Sequence, residues 1–343
     1  MTVSVSVIRG FLLEETLSKL LENSGYTLID KDVLNYPNKY PEFVSQGNGL
    51  NIKGRGGTHQ ADVLGQFPIS IPFNYPVRLF LEAKFKNKKV GIDVVRSGIG
   101  ILTDLNANYQ TISLKNDELL FQRFNYQYAI FSTSGFSENA VRLAIAYKIT
   151  LIDLSGKEYI DLLGAIEEVA QRLRDELSLK EITLKDIRAY IRSRLFNIDM
   201  VNYTRNRFDF YELLEPLFDE IENYVDLYLA SINSPFSILI KPSSPEEFRF
   251  FLKENNGSTF KVSIQWDFKD PNLWEINLDS NKELKFTFYL PELISKYIFN
   301  SPNDPNILVN ALNAKKQFFS SMIFYVRNVE KFITFKYSID KYL

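Results

Sequence analysis

Two carboxylates and a lysine, Asp62, Glu82 and Lys84, occur in neighbouring apolar runs and have the residue types of a hydrolytic centre. In the run VRLFLEAKF, strand alternation places Glu82 and Lys84 on one face, roughly 7 Å apart. A neighbouring strand, ADVLGQF, would carry Asp62 towards Glu82. Two carboxylates that close repel each other unless a cation lies between them. The pattern predicts a divalent metal held by Asp62, Glu82 and the carbonyl oxygen of Ala83, with Lys84 orienting the attacking water and stabilising charge at a phosphorus. The alternative is an exposed, charged strand face.

The composition limits the kind of metal. The 343 residues include no cysteine and one histidine, and the formal net charge is -2. Thiolate nucleophiles, cysteine-based zinc or iron–sulfur sites and histidine-rich sites are therefore excluded. Oxygen donors suit Mg²⁺, with Mn²⁺ as a substitute.

Alternating helices and strands must position these residues. The stretch from 35 to 58 is rich in Asn, Pro and Gly, which predicts a loop. The periodicity predicts helices at 10–26, 90–109 and 137–148, the last with Ser137 as N-cap, and strands at 61–67, 77–85, 126–133 and 149–154. This order predicts an α/β fold in which a central mixed sheet is flanked by helices.

The second half of the sequence has a different pattern. Residues 158–232 are predicted to be a helical connector, and residues 233–343 a mostly antiparallel β domain with aromatic-rich strands. The predicted domains are thus 1–157, 158–232 and 233–343. The last of these is left with recognition, sensing or dimerisation as alternative roles.

Four stretches of residues 10–155 resemble the PD-(D/E)xK nuclease superfamily, and within it the Mrr-like restriction endonucleases. They are LEETLSKLLENSGY, GRGGTHQADVLG, RLFLEAKFKNKKVGIDVVRSGIG and YAIFSTSGFSENAVRLAIAYKITLIDL. The resemblance implies a restriction-endonuclease-like core and Mg²⁺-dependent hydrolysis of DNA phosphodiesters that leaves 5′-phosphate ends. It also implies that Glu14 reaches the metal, with Glu15 and Glu22 as alternatives. The chain departs from the family pattern at Ala61, where proline is common.

Further residues are candidates for supporting roles. Gln60 precedes Asp62 by two residues and would share its strand face, where it would hold a water molecule or pair with a neighbour. His59 would contact phosphate or act as a pH-sensitive helper; the alternative is a hydrogen-bonded loop histidine. Arg55, Lys86 and Arg96 are candidates for DNA phosphate contacts, since phosphate neutralisation dominates DNA affinity.

The function expected from the sequence is that of a restriction or anti-phage deoxyribonuclease. A double-strand break would need a homodimer or two successive cuts. Two alternatives stay open: a nuclease effector gated by a ligand or a defence-system partner bound to the C-terminal domain, and a non-catalytic DNA-binding module. No long apolar run or signal-peptide pattern occurs, so a cytoplasmic location without membrane contact is expected.

Overall fold

The computed structural model shows a mixed α/β protein whose chain divides into two compact units. The first unit is Met1–Glu22 with Tyr26–Val225, and the second is Asn23–Gly25 with Asp226–Leu343. The structure describes residues 3–46, 49–69, 72–108, 110–114, 117–121, 124–179, 183–196, 215, 218–219, 221, 226–233, 236–266, 269–299 and 305–338. No helix in this described part is long and apolar enough to cross a membrane.

The first unit contains five described helices and ten described strands. The helices are α1 (Val5–Asn23), α2 (Ile92–Asn106), α3 (Glu138–Ala146), α4 (Ile160–Leu179) and α5 (Leu184–Leu195). The strands are β1 (Thr27–Leu28), β2 (Phe43–Gln46), β3 (Gly49–Lys53), β4 (Thr58–Gln60), β5 (Val63–Gln66), β6 (Val77–Lys84), β7 (Gln110–Leu114), β8 (Asp117–Phe121), β9 (Asn125–Ser132) and β10 (Thr150–Asp153).

The main sheet of this unit is five-stranded and mixed, with the order β1-β5-β6-β9-β10. β5 and β6 form an antiparallel pair in which Val63 is opposite Leu81. β6 and β9 are parallel, as are β9 and β10, and the connections between them contain α2 and α3. The helices and strands predicted between residues 61 and 154 occur in the predicted order. Ser137 is the N-cap of α3, where its side chain accepts a hydrogen bond from the Ala140 N–H.

β6 is buried on both faces over its first half, and this burial includes the charged side chain of Arg78. Arg78 is fully buried, and its Nη1 donates to Glu42 Oε1 at 2.7 Å. Its guanidinium also lies over the Phe124 ring, with Cζ 3.3 Å from the ring centroid. A buried arginine is tolerated because its charge is paired and hydrogen-bonded.

The prediction of a loop over 35–58 is wrong, because β2, β3 and β4 form a small antiparallel sheet there. Its inward-facing side chains include Phe43 and Ile52, which are buried in the core of the first unit. The high Asn, Pro and Gly content gave no indication of these three short strands.

Helices α4 and α5 pack against α1 through ion pairs. Arg9 of α1 donates to Glu167 of α4 at 2.7 Å. α5 begins with a capping box, in which Thr183 accepts from the Asp186 N–H and Asp186 accepts from the Thr183 N–H. This cap fixes where α5 begins, and the helix then carries two arginines towards α1.

The second unit is built around a closed barrel with the strand order β11-β12-β15-β14-β13-β17-β16. Its strands are β11 (Tyr228–Ser231), β12 (Ser237–Pro242), β13 (Thr259–Trp266), β14 (Leu273–Leu278), β15 (Lys285–Tyr289), β16 (Ser321–Val326) and β17 (Lys331–Tyr337). Its helices are α6 (Pro245–Glu254), α7 (Glu292–Ile298) and α8 (Ile307–Phe318). Neighbouring strands are antiparallel except for the parallel pair β13 and β17.

One part of the helical prediction is wrong at this boundary. The helix predicted to continue to residue 232 is replaced by β11, which pairs with β12 and β16. The core of the barrel is aromatic, with buried Phe248, Phe286, Phe324 and Trp274.

Candidate active site

The β5–β6 pair fixes Asp62 next to the end of β6. Asp62 lies at a bend directly before β5, so it faces the Glu82–Ala83 step of the antiparallel partner. Its Oδ2 accepts a hydrogen bond from the Ala83 N–H at 2.8 Å. In an antiparallel ladder the N–H and C=O of one residue face the same neighbour. The carbonyl oxygen of Ala83 is therefore expected on the same edge as the Asp62 carboxylate.

Glu82 is held by two different donors. The ammonium group of Lys84 forms an ion pair with Glu82 Oε1. The hydroxyl of Tyr128, on β9, donates a hydrogen bond to Glu82 Oε2. Both oxygens of Glu82 therefore have a partner, and Glu82 and Lys84 lie together as their strand spacing predicts.

Tyr128 is itself held rigidly. Its ring is buried and stacks on Phe80, with 5.0 Å between the ring centroids. Gly98 of α2 also lies against this ring, and an added Cβ there would be 2.9 Å from Tyr128 Cε1. Burial, followed by the negative charge of Glu82, raises the pKa of Tyr128, so its hydroxyl stays protonated and donates.

Glu14 of α1 is the helix glutamate that lies at this cluster. Its pKa is raised to about 7, first by burial and then by the nearby charge of Asp62, while Arg188 and Lys84 oppose the effect. Glu15 instead pairs with Arg188 and Arg192, and Glu22 with Lys19. Of the three alternatives, Glu14 is the one whose charge is coupled to Asp62.

The pKa of Asp62 is raised for similar reasons. Burial raises its pKa, and the charge of Glu82 adds to this, whereas the Ala83 N–H, Lys84 and Arg188 lower it. Buried carboxylates whose charges raise one another's pKa are stabilised by an added cation.

The donor types at this site fit Mg²⁺, which prefers carboxylate and carbonyl oxygens. In the described part of the chain, however, no group of three or more His, Cys, Asp or Glu side chains has the arrangement needed to hold a metal ion. Glu82 is directed to Lys84 and Tyr128, and Glu14 to Arg188. Metal binding by Asp62, Glu82, the Ala83 carbonyl and Glu14 would require side-chain rotation, and it stays a prediction.

The prediction that Gln60 shares a strand with Asp62 is wrong. Gln60 is exposed and belongs to β4, where it pairs with Asn51 of β3. The chain bends at Asp62 between β4 and β5, so the alternation of side chains does not continue from one residue to the other.

His59 is bound to an acidic residue of α2. Its Nε2 is 2.7 Å from Asp104 Oδ2. Asp104 also accepts from the Gly56 and Gly57 N–H groups. The pKa of Asp104 is lowered, and the hydrogen bond with His59 is the largest cause. His59 is therefore hydrogen-bonded, as in the alternative interpretation, but it lies in β4 and not in a loop. Together these contacts fold the glycine-rich turn onto the end of α2.

The candidate DNA-contacting cations lie on the surface. Arg55, Lys86 and Arg96 are all exposed. The Arg55 N–H donates to the Asp104 carbonyl, which holds its backbone and leaves the side chain outward. The structure does not bring these three residues into the carboxylate cluster, and their contact with DNA stays a prediction.

Sequence reasoning missed Tyr128, Arg188 and Asp104. The run YQYAIFST identified the strand of Tyr128, but no motif marks which of its side chains reaches Glu82. Arg188 lies in a helix outside the stretches that resemble the nuclease family, so its approach to Glu14 has no local sequence signal.

The second unit has an open surface groove of about 830 Å³. Its lining includes the exposed Phe250 and several acidic side chains, among them Glu246, Glu247 and Glu283. The groove belongs to α6 and neighbouring loops of the barrel, not to the carboxylate cluster of the first unit.

Comparison with known proteins does not identify the chain. No protein-family model matches it, and no curated protein sequence matches it. The crystal structure of a protein of unknown function designated AF1548 is similar to 63% of this chain and to 98% of its own chain, with 15% sequence identity and a TM-score of 0.34. That similarity assigns neither a fold family nor an activity.

Proposed function

We propose that this protein is a Mg²⁺-dependent endonuclease that hydrolyses DNA phosphodiester bonds. The observation that carries the proposal is the convergence of Asp62, Glu82, Lys84 and Glu14, contributed by the β5–β6 pair and by α1. A cluster of carboxylate oxygens beside one ammonium group suits phosphodiester hydrolysis, because the carboxylates bind the metal and the ammonium group stabilises anionic phosphate oxygens.

Mg²⁺, with Mn²⁺ as a substitute, would be held by Asp62, Glu82, the Ala83 carbonyl and Glu14. Bound there, the ion would act as a Lewis acid towards the phosphoryl oxygens. Other groups of the chain orient the two carboxylates: the Ala83 N–H donates to one oxygen of Asp62, and the Tyr128 hydroxyl donates to one oxygen of Glu82. With Glu82 as a metal ligand, the ammonium group of Lys84 would be available to donate a hydrogen bond to the attacking water.

The order of elements supports the same proposal. α1, the β5–β6 pair, α2, β9, α3 and β10 follow one another as the resemblance to PD-(D/E)xK nucleases implies. The products would carry 5′-phosphate ends, and a double-strand break would need two copies or two successive cuts. A role in restriction or anti-phage defence, and the Mrr-like subgroup, are proposed from the resemblance alone.

The test compares cleavage of plasmid DNA by the wild type and by Asp62→Asn, with Mg²⁺, Mn²⁺ or EDTA. We expect metal-dependent cutting, and a rate lowered on the order of 100-fold or more in the variant. Asp161→Asn is the matched control, since it makes the same change at an exposed position in the first turn of α4. Equal cutting by wild type and Asp62→Asn would contradict the site. Tight DNA binding without metal-dependent cutting would favour the non-catalytic module.

We also propose, as a second candidate, a nuclease whose activity is gated by a ligand or partner at the second unit. The groove on α6 is the observation that favours it. A chain ending at Val225 is expected to cut DNA faster than the full chain, because gating by the second unit would be removed. Equal rates for the two chains would contradict gating.

A further inference from the structure

Helix α5 brings an arginine to the carboxylate cluster. Arg188 Nη2 donates to Glu14 Oε2 at 3.1 Å, and Arg188 Nε donates to Glu15 Oε1 at 3.2 Å. Its charge also lowers the pKa of Asp62. Arg188 therefore lies at the site, although it comes from a helix beyond the stretches that resemble the nuclease family.

One edge of the Arg188 guanidinium, the edge that carries the Nη1 N–H groups, is open to a ligand. The guanidinium has five N–H donors, of which the two contacts to Glu14 and Glu15 use only part. Among the described residues, Nη1 has no protein partner, and the side chain is 34% exposed. The Phe11 ring lies 4.9 Å from Cζ and supports the guanidinium from one side. The open edge can therefore be presented to a ligand without breaking either ion pair.

The local charge balance shows which ligand suits this edge. Asp62, Glu82, Glu14 and Glu15 would repel a phosphodiester, which is itself an anion. Lys84 is paired with Glu82. The side-by-side donors of an arginine match two oxygens of one phosphate, which gives both charge and orientation.

We propose that Arg188 forms a phosphate-binding subsite that holds a DNA phosphate adjoining the hydrolysed bond, through its open guanidinium edge. The inference rests on the proposed nuclease function and extends it to a residue on α5. Arg188 contacts the substrate in this arrangement, and its bond to Glu15 keeps it in place when Glu14 turns to the metal.

Arg192 provides a matched control on the same helix. Its Nε lies 3.2 Å from Glu15 Oε2, and its Nη2 lies 3.9 Å from Asp30. It thus contributes to the packing of α5 on α1 through Glu15, and its ion pairs in the described structure do not include Glu14. Replacing it tests the structural role of an α5 arginine separately from a phosphate contact.

The experiment measures binding of a short fluorescein-labelled DNA duplex at several salt concentrations, with Ca²⁺ in place of Mg²⁺, for wild type, Arg188→Gln, Arg188→Lys and Arg192→Gln. One lost phosphate contact should reduce the slope of log Kd against log salt by about 0.9 in Arg188→Gln. Binding should also weaken roughly 10-fold. Arg192→Gln should keep the wild-type slope. Arg188→Lys should keep the slope, since the charge remains, but bind more weakly because the two-point contact is lost.

The outcomes separate this inference from the proposed function. If the wild type binds and cuts DNA while Arg188→Gln has the wild-type slope of log Kd against log salt, the phosphate subsite is wrong and the nuclease proposal stands. If the wild type neither binds nor cuts DNA, both are wrong. Circular dichroism checks that each variant is folded. If Arg188→Gln does not fold, the DNA affinity of Arg188→Lys is the test. Wild-type affinity in that variant would contradict the phosphate subsite.

Discussion

Replacing Glu14 by glutamine should make the metal-free protein more stable at alkaline pH. Glu14 lies in a cluster where burial and the charge of Asp62 disfavour its ionised form. Glutamine keeps nearly the same shape and cannot ionise. The change therefore removes an unfavourable charge from the folded protein and also removes one predicted metal ligand.

The size of the effect follows from the pKa of Glu14, which is raised from 4.5 to about 7. A difference of about 2.5 in pKa corresponds to about 3 kcal/mol, at about 1.4 kcal/mol per pKa unit. Because the folded-state pKa is raised, the stability due to protonated Glu14 is complete below pH 4.5 and is lost as the pH rises through 7. Glu14→Gln should thus equal the wild type below pH 4.5 and exceed it by up to about 3 kcal/mol above pH 7.

Urea denaturation in EDTA, followed by far-ultraviolet circular dichroism near pH 4.5 and at about pH 8, measures this difference. Both tryptophans, Trp266 and Trp274, lie in the barrel, so their fluorescence reports on the second unit and serves as an internal reference. Glu22→Gln is the control on the same helix. Glu22 pairs with Lys19 at 3.0 Å near the surface, and its loss should change stability by less than about 1 kcal/mol.

A Glu14→Gln variant with no gain at alkaline pH, or with the same gain at both pH values, would refute the reasoning. The first result would mean that Glu14 is not disfavoured as a carboxylate, and the second that the gain has another source. Adding Mg²⁺ should then stabilise the wild type more than the variant, because a ligand that binds only the folded protein adds stability according to its affinity.

Three other changes test parts of the first unit. Arg78→Met should lower the free energy of unfolding by about 3–5 kcal/mol, because the buried charge of Glu42 loses its ion pair with Arg78. Urea denaturation measures this, and a loss under about 1 kcal/mol would contradict it. Tyr128→Phe should lower the DNA-cleavage rate about 10–100-fold, because Glu82 loses the hydroxyl that orients it. A wild-type cleavage rate at an unchanged Tm would argue against a role of Tyr128 in orienting Glu82. Gly98→Ala places a methyl group 2.9 Å from Tyr128 Cε1 and should destabilise the protein by about 1–3 kcal/mol, measured by the same denaturation; wild-type stability would show that α2 moves away without cost.

The relation of Glu82 to Lys84 was predictable because both lie in one uninterrupted strand, where spacing alone decides the face. Asp62 was predictable only in part. The strand pair is predicted to carry Asp62 towards Glu82; in the structure its carboxylate accepts from the N–H of the next residue, Ala83, and Asp62 itself is at a bend and not within β5. The same bend explains the error for Gln60, since alternation applies only along a continuous strand.

Other features depend on contacts that local sequence does not encode. The Arg188 contact with Glu14 joins two helices far apart in the chain. The burial of Arg78 requires Glu42, which lies next to the small sheet that the glycine-rich composition hid. The segment Tyr228–Ser231 is short and apolar, and a run of that length fits a helix end or a strand equally well until its partners are known.

The closed barrel has a consequence for assembly. In a closed sheet every strand has two hydrogen-bonded neighbours, so the described strands of the second unit present no open edge to which another chain could add a strand. Recruitment of a second copy or of another protein through this unit must therefore rely on side chains of its helices, loops and outer strand faces. Its exposed Phe250 and Ile323 are the kind of side chains that such packing would use. The mixed sheet of the first unit differs, because β1 and β10 lie at its edges.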